Sequence, residues 1–244
     1  MKNKIKSLLQ NLLGFKTYLF FFSKFKIATL KWDGNENHFF HFVDLLPNSG
    51  LILDIGSNIG IMTSRLANAK PQSMIYSFEP IKENFDVLSE IVTSNQHKNV
   101  KLYNIALGAE AGNLTMIMPM IGNAKQQGLS HVFNPDEHYE YGGEKYTVPV
   151  EKLDDVLSNE TLQIKGIKID VENFEYQVLL GAQAILKKQK PLLYVELWDN
   201  KNRTDCFDLM HNIGYKTMVL VNNKLTEFTN QVTQNFFFVC EKSD

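Results

Sequence analysis

Strand-like apolar runs alternate with helical segments along most of the chain, and this alternation restricts the fold more than any other sequence feature. The runs that predict strands cover residues 51–56, 74–79, 100–107, 166–172 and 191–198, and helical patterns cover residues 59–69, 83–94, 174–188 and 204–212. Strands that alternate with helices form a parallel sheet with helices on both faces. The last two strands, 215–221 and 236–241, have only turn residues such as Asn222 and Asn223 between them, which predicts an antiparallel hairpin at one edge. The sequence therefore predicts an α/β fold with a doubly wound, mostly parallel sheet.

One region interrupts this alternation. Residues 109–150 contain two β-like stretches, 114–118 and 146–150, on either side of a polar, glycine-rich segment. A long irregular stretch inside a compact domain is usually a functional lid or a disordered loop. We therefore interpret residues 109–150 as an insertion or lid within a domain that covers residues 46–244.

The charge of the chain is unevenly distributed. Residues 1–31 hold seven lysines and no acid, whereas the rest of the chain has 18 basic and 27 acidic residues. An acidic body argues against nucleic-acid binding, which needs a basic face. Cys206 and Cys240 are too few for a disulfide framework, and two reduced, buried thiols are typical of a cytoplasmic protein.

Residues 1–45 are expected to form a basic, helical N-terminal arm. Its apolar residues recur at spacings of three and four, as in an amphipathic helix: Ile5, Leu8, Leu12, Phe15, Leu19 and Phe22. Its uncharged runs are far shorter than the roughly 20 residues of a membrane span. We favour a helix that packs this apolar face on the domain and leaves the lysines in solvent. The alternative is a peripheral contact of residues 1–30 with an anionic membrane surface, at the inner face of the membrane.

The stretch LILDIGSNIG, residues 51–60, is an apolar strand that enters a tight glycine turn before a helix. Gly56 permits a sharp turn and a close approach to a ligand, and Gly60 permits close helix packing. Ser57 stands where a dinucleotide fingerprint requires glycine, so a nicotinamide or flavin dinucleotide is disfavoured. Asp54, at the end of the strand, suits a ligand with an amino or cationic group.

The next predicted strand ends in SFEP, which places Glu79 at its tip. An acid at the tip of the second strand of a βαβ unit can bind both hydroxyls of a ribose. The glycine turn and this acid together predict a site for an adenosine-containing cofactor without phosphate, which is S-adenosylmethionine. We expect Asp54, Gly56, Asn58, Gly60 and Glu79 to hold it.

Six stretches resemble the FkbM-type family of class I S-adenosylmethionine-dependent methyltransferases. They are LILDIGSNIG, YSFEP, YNIALG, VPVEKLDDVL, IKIDVENFEYQVLLGA and KPLLYVEL, and they span residues 51–197 in the order of the family. The resemblance implies a seven-stranded, Rossmann-like sheet whose last strand is antiparallel, and O-methylation of a hydroxyl on a carbohydrate, glycan or secondary metabolite. Asn104 and Ala106 of YNIALG would then lie beside the adenine. Asn173 replaces the usual glycine of the family, and we expect it to keep the left-handed turn.

IKIDVENFEY, residues 167–176, alternates apolar residues with charged ones and carries the predicted chemistry. A carboxylate at the ligand edge of the sheet can take the proton of an attacking alcohol, and we assign this role first to Asp170 and second to Glu172. The alternative for Asp170 is a structural ion pair with Lys168. Glu196, Trp198 and His131 are weaker candidates for contact with the acceptor. Clustered carboxylates also suit magnesium, but we predict no metal.

Two other functions remain open at this stage. The chain could be a catalytically silent binding module that keeps the fold and docks to a membrane surface or a partner. It could also be a nucleotide-dependent oxidoreductase or sugar-modifying enzyme, although the missing G-x-G-x-x-G spacing argues against that. The sequence does not identify the acceptor or the oligomeric state.

Overall fold

The structure, a computed structural model, describes residues 2–135 and 142–240. Its helices are α1 (Lys2–Leu13), α2 (Phe15–Thr29), α3 (Asn37–Leu45), α4 (Ile61–Ala69), α5 (Lys82–Ser94), α6 (Leu153–Val156), α7 (Glu175–Leu180), α8 (Gln183–Gln189) and α9 (Lys201–Asn212). Its strands are β1 (Ser49–Ile55), β2 (Gln72–Phe78), β3 (Val100–Tyr103), β4 (Ala106–Leu107), β5 (Gly112–Ile121), β6 (Ala124–Lys125), β7 (His131–Val132), β8 (Gly143–Glu151), β9 (Ile164–Ile169), β10 (Leu192–Glu196), β11 (Tyr215–Val221), β12 (Lys224–Glu227) and β13 (Asn235–Cys240). Residues 136–141 of the predicted insertion and Glu241 of the predicted last strand lie outside the described residues.

The main sheet confirms the predicted doubly wound α/β fold. Its order is β12-β11-β13-β10-β9-β1-β2-β3, and β1, β2, β3, β9 and β10 run parallel to one another. The last strand, β13, is antiparallel to both of its neighbours, β10 and β11. It lies inside the sheet, so the prediction of a hairpin at the edge was wrong in this detail. Asn222 and Asn223, both with positive φ, instead connect β11 to the short eighth strand β12, because two left-handed residues suit a two-residue hairpin turn.

Alternation along β1 gives the sheet two buried faces. Leu51, Leu53 and Ile55 point to one side, where they pack with buried residues of α7, α8 and α9. Ile52 points to the other side and packs with buried residues of α3 and α4. Because both faces are covered by helices, apolar residues of the central strands are buried on both sides of the sheet, as is usual for parallel sheets.

A polar row crosses the central strands on the α4 side. Asp54 of β1 is paired in register with Ser77 of β2 and with Lys168 of β9. Side chains at paired positions of adjacent strands lie on the same face of a sheet. The register therefore brings these three polar groups together in an interior where a polar atom needs a partner.

The predicted insertion forms a second, smaller sheet. The stretches 114–118 and 146–150 are parts of the long antiparallel strands β5 and β8, which pair from Gly112↔Val150 to Pro119↔Gly143. The predicted strand 100–107 is in fact two strands. It leaves the main sheet after β3, and β4 pairs with β8 instead. The chain therefore passes directly from the end of β3 into the small sheet, which lies beside the carboxyl edge of the main sheet.

The N-terminal arm differs from the prediction of one amphipathic helix with a buried apolar face. Gly14, at φ 77°, separates α1 from α2. On α2, Leu19 is fully buried, but Ile5, Leu8 and Leu12 of α1 are exposed. The residues of α3 also pack into the core of the domain, where the Phe42 ring stacks on Tyr194. None of the helices in the described part of the chain is long and apolar enough to cross a membrane.

Both cysteines are free thiols, as expected. Cys206 of α9 is fully buried, whereas Cys240, at the end of β13, is only partly buried. The prediction of two buried thiols is thus correct for Cys206 and wrong for Cys240.

Gly181 joins α7 to α8 and splits the single helix predicted for residues 174–188. A Cβ atom at this position would lie 2.0 Å from the backbone oxygen of Gly108. This close approach holds the helix junction against the backbone that follows β4.

We predict that Gly181→Ala lowers the free energy of unfolding by about 2–3 kcal/mol, since the clash is with backbone that cannot rotate away. Denaturant unfolding followed by circular dichroism measures this loss. Gly34→Ala is the matched control, because nothing lies within 4 Å of a Cβ built there. Equal denaturant midpoints for Gly181→Ala and Gly34→Ala would contradict the close backbone contact at Gly181.

Candidate active site

A cleft of about 670 Å³, counting the part open to solvent, lies at the carboxyl ends of β1, β2 and β9. Its walls come from the turns after these strands, from the segment 105–107 after β3, and from the small sheet with its loop 127–130. In an open α/β sheet this edge is where ligands bind. Among the described residues that line the cleft, Glu79, Asp170 and Glu172 are acidic and none is Lys, Arg or His.

The glycine turn after β1 forms the floor of the cleft. Gly56 has φ 76°, and a Cβ there would lie only 1.8 Å from the backbone oxygen of Asp170. Only glycine can therefore let β1 and β9 end side by side at this point. Asn58, at φ 48°, lines the cleft, whereas Gly60 caps α4 and packs against Leu88, as its predicted packing role requires.

Lys168 fixes this turn from beneath. Its Nζ donates to the backbone oxygen of Gly56 at 2.9 Å and lies 3.4 Å from Asp54 Oδ1 and 3.5 Å from Asp170 Oδ2. Burial alone would lower the pKa of this ammonium group, but Asp170 and Asp54 together raise it well above its ordinary value. The side chain is thus a buried permanent cation, and the predicted Lys168–Asp170 ion pair is confirmed as part of a larger network.

Asp54 lies under the turn and not on the wall of the cleft. Its side chain is fully buried, and its Oδ2 accepts a hydrogen bond of 2.6 Å from Thr63, whose hydroxyl is 3.1 Å from that of Ser77. Asp54 is therefore placed to hold Lys168 and the start of α4. Its predicted contact with a cofactor stays a prediction.

Glu79 is a buried acceptor at the tip of β2. Its two oxygens accept hydrogen bonds from the backbone N–H groups of Asn58, at 2.9 Å, and Ile81, at 3.0 Å, and from the Asn84 amide at 3.3 Å. Burial, opposed by these hydrogen bonds, raises the pKa of Glu79 to about 7. The carboxylate is thereby held in one orientation at the cleft wall, where it can accept from the hydroxyl groups of a ligand.

Asn104 does not line the cleft, although Ala106 does. The Asn104 amide donates to the backbone oxygens of Glu79 at 2.8 Å and Pro80 at 2.9 Å. It therefore braces the turn that carries Glu79, and its predicted place beside the adenine remains untested.

Two amide oxygens of the cleft are buried and have no hydrogen-bond partner among the described residues: Oδ1 of Asn58 and Oδ1 of Asn84. A buried acceptor without a partner costs free energy, so such atoms indicate a ligand that donates to them. Together with Glu79, they make a wall of acceptors that suits a ligand rich in hydroxyl and amino groups.

The segment after β9 turns sharply into the cleft. The strand ends at Ile169, three residues earlier than predicted, because both Glu172 (φ 53°) and Asn173 (φ 72°) adopt left-handed conformations. The expectation for Asn173 is confirmed, and the conformation of Glu172 was not foreseen. Glu175 stabilises this turn by accepting from the backbone N–H groups of Val171 and Asn173, each at 3.2 Å.

The carboxyl groups around this turn differ in charge. Burial, followed by the nearby charges of Asp170 and Glu196, raises the pKa of Glu172 to about 8. Burial and Asp170 also raise the pKa of Glu196 to about 7. Asp170, by contrast, lies beside the Lys168 ammonium, and its side chain is 39% exposed toward the cleft. The structure therefore brings the two predicted catalytic carboxylates together in different electrostatic surroundings.

The three weaker candidates are not on the cleft wall. Glu196 is half-buried behind the turn, and Trp198 is exposed beyond the end of β10. His131 lies on β7 with Nδ1 2.8 Å from the backbone oxygen of Leu129, while its neighbours Ser130 and Val132 line the cleft. Their predicted contact with an acceptor stays a prediction.

Sequence reasoning missed two site residues, Asn84 and Glu175. Asn84 is near the start of α5, close behind Glu79, and its helical position alone gave no signal. Glu175 is an acid in the first turn of α7, a position where carboxylates commonly cap backbone N–H groups, so it could have been found.

The chain matches the profile of the family described as "Methyltransferase FkbM domain" over residues 54–217. It is 28% identical over 177 residues to "Methyltransferase sdnD" of Sordaria araneosa, covering 63% of this chain and 68% of that protein. It is 26% identical over 167 residues to "Methyltransferase 1" of Beauveria bassiana, covering 64% of this chain and 67% of that protein. The crystal structure of methyltransferase FkbM from Methylobacillus flagellatus superposes with a TM-score of 0.53 at 17% identity, covering 80% of this chain and 45% of that one. This last likeness supports the class I methyltransferase fold.

The raised pKa of Glu172 predicts a pH dependence of stability. Between its ordinary 4.5 and about 8, the folded protein binds more protons at Glu172 than the unfolded chain does. The contribution of Glu172 to stability therefore falls as pH rises from 5 to 8. The stability of the Glu172→Gln variant is expected to fall less steeply over this range.

Melting temperatures measured across this range test the effect. Glu110→Gln, a change at an exposed acid, is the control and is expected to follow the wild type. A Glu172→Gln curve parallel to that of the wild type would contradict the raised pKa.

Proposed function

The chain belongs to the FkbM methyltransferase family and is a methyltransferase, and on that premise we propose that it uses S-adenosylmethionine to methylate a hydroxyl oxygen. The acceptor would be a carbohydrate, a glycan or a secondary metabolite, the classes that its resemblance to the family implies. The observation that carries the proposal is the cleft at the carboxyl edge, whose described charged residues are three carboxylates and no cation.

The cleft fits S-adenosylmethionine by the chemistry of its walls. Glu79 would accept from the ribose hydroxyls, and the partnerless oxygens of Asn58 and Asn84 would accept from amino or hydroxyl groups. Gly56 leaves room for backbone approach, and Ala106 lies with apolar side chains that suit an adenine ring. When bound, the cofactor supplies a methyl group on a positively charged sulfur, and the acidic cleft would favour that charge.

Asp170 is the carboxylate we assign to the proton of the acceptor hydroxyl. It lines the cleft, lies within ion-pair distance of Lys168 and has a side chain that is 39% exposed. Glu172, with its pKa raised to about 8, holds its proton through most of the neutral range and is the less available proton acceptor there. The difference between the two environments supports Asp170 as acceptor of the proton and Glu172 as a group that orients the acceptor.

The same cleft argues against a nicotinamide-dependent function. A pyrophosphate needs glycine-rich backbone or a cation, and here it would face Glu79 and Asp170 without a lining Lys or Arg among the described residues. A small-molecule or glycan acceptor, no nucleic-acid partner and a cytoplasmic location remain predictions from the sequence.

The test is transfer of a labelled methyl group from S-adenosylmethionine to panels of sugars, glycans and hydroxylated metabolites. We expect Asp170→Asn to lower turnover by about 10²–10⁴-fold, the usual contribution of a general base, while S-adenosylhomocysteine still binds.

Asp199→Asn is the matched control, because this exposed acid pairs with Arg203 outside the cleft and is expected to keep full turnover. Unchanged turnover in Asp170→Asn would remove Asp170 from the mechanism. Transfer to nitrogen or carbon acceptors only would refute O-methylation.

A further inference from the structure

Helix α1 is docked on the domain by its polar side. Lys6 Nζ donates to the side-chain oxygens of Gln126 at 2.8 Å and Gln127 at 3.2 Å. The Gln10 amide exchanges two hydrogen bonds with the backbone of Lys125, at 3.1 and 3.0 Å. Lys6 and Gln10 are four residues apart and thus on one face of the helix, which is the face that touches β6 and the loop after it.

The opposite face of α1 is apolar and exposed. Ile5, Leu8 and Leu12 have 54, 65 and 76% of their surface accessible, and Leu9, between them on the helix, 37%. Their spacing of i, i+3, i+4 and i+7 forms one stripe that is centred roughly 130° around the helix from Lys6 and Gln10. A helix that only packs on its domain buries its apolar face and exposes its polar face. The exposed stripe of α1 is therefore free to contact an apolar surface outside this chain.

Helix α2 packs on the domain mainly through apolar side chains and leaves other apolar side chains exposed on its far side. Leu19 and Ser23 face the domain and are fully buried, with the Ser23 hydroxyl donating to the Ile59 oxygen at 2.9 Å. Phe21 and Phe25 lie on the other side and are 59 and 63% exposed. Trp32 follows the helix, 73% exposed, with the Lys31 ammonium over its ring at 4.4 Å. We call these exposed apolar residues of α1 and α2, together with Trp32, the arm surface.

The charge around the arm surface indicates which kind of partner it binds. Residues 1–31 hold seven lysines and no acid, while the rest of the chain has an excess of nine acids. Lys4 and Lys31 are exposed, whereas four other lysines of this segment contact the domain or Asp33: Lys6, Lys16, Lys24 and Lys26. A second copy of this chain would also bring acidic side chains to these lysines, and the test below includes that dimer as a contradicting outcome. Apolar and aromatic side chains among lysines are the composition of helices that lie in the interface of an anionic membrane.

We propose that the arm surface docks this protein on the surface of an anionic phospholipid bilayer, with the apolar side chains in the acyl boundary and the exposed Lys4 and Lys31 among the headgroups. Docking brings α1 to the membrane together with the segment 125–127 that it holds, and Gln127 of that segment lines the cleft. The proposal does not depend on the identity of the cofactor or acceptor.

The test is co-sedimentation of the full chain with vesicles of phosphatidylcholine alone or mixed with phosphatidylglycerol. We expect binding to the mixed vesicles that weakens as salt rises. Leu8→Gln combined with Leu12→Gln is expected to weaken it about tenfold or more, and Phe21→Gln with Phe25→Gln likewise. Because these side chains are exposed, melting temperatures should stay at the wild-type value.

Leu162→Gln combined with Val232→Gln is the matched control, since it removes two exposed apolar side chains outside the arm and is expected to leave vesicle binding unchanged. Absence of binding to mixed vesicles, or binding that both arm variants retain, would overturn the proposal. So would a wild-type dimer that Leu8→Gln with Leu12→Gln converts to a monomer without any vesicle binding, because the surface would then join two copies. Methyl transfer assays are not part of this test, so its failure leaves the proposed function standing.

Discussion

The buried ammonium group of Lys168 is the interaction on which the geometry of the cleft depends. It is 4% exposed, and it joins the Gly56 backbone to the carboxylates of Asp54 and Asp170. A buried charge that loses its partner costs roughly 3–5 kcal/mol, so each of these groups constrains the position of the others. The turn after β1 and the turn after β9 are therefore held at a fixed separation, with the cleft above them.

This network also separates the roles of the carboxyl groups. Asp170 forms an ion pair with Lys168 and lines the cleft. Glu172 and Glu196 are partly buried near other carboxylates, and their pKa values are raised. Burial and the nearby negative charges thus favour the protonated forms of Glu172 and Glu196, while the neighbouring Asp170 is paired with Lys168. Under the proposed function, the segment after β9 would offer Asp170 as the proton acceptor and Glu172 as a protonated hydrogen-bonding group to a substrate.

The sequence predicted what depends on local chemistry. The glycine turn, the acid at the tip of β2 and the left-handed Asn173 follow from residue type and spacing, and the structure contains the predicted turn geometry at each place. Features that depend on partners distant in the chain were not predictable. The row Ser77–Asp54–Lys168 requires the register of three strands, and the inverted orientation of α1 requires its contact with Lys125, more than a hundred residues away. The internal position of β13 likewise results from long-range pairing.

The central claim is that the cleft is built for an adenosine-containing, phosphate-free cofactor. The most direct measurement is a calorimetric titration of the full chain with S-adenosylhomocysteine, S-adenosylmethionine and NAD. The account predicts saturable binding of the two sulfur compounds and none of NAD, because the acidic wall offers acceptors for hydroxyl and amino groups and no cation for a pyrophosphate. Binding of NAD without binding of S-adenosylhomocysteine, or no binding of any of the three, would contradict it.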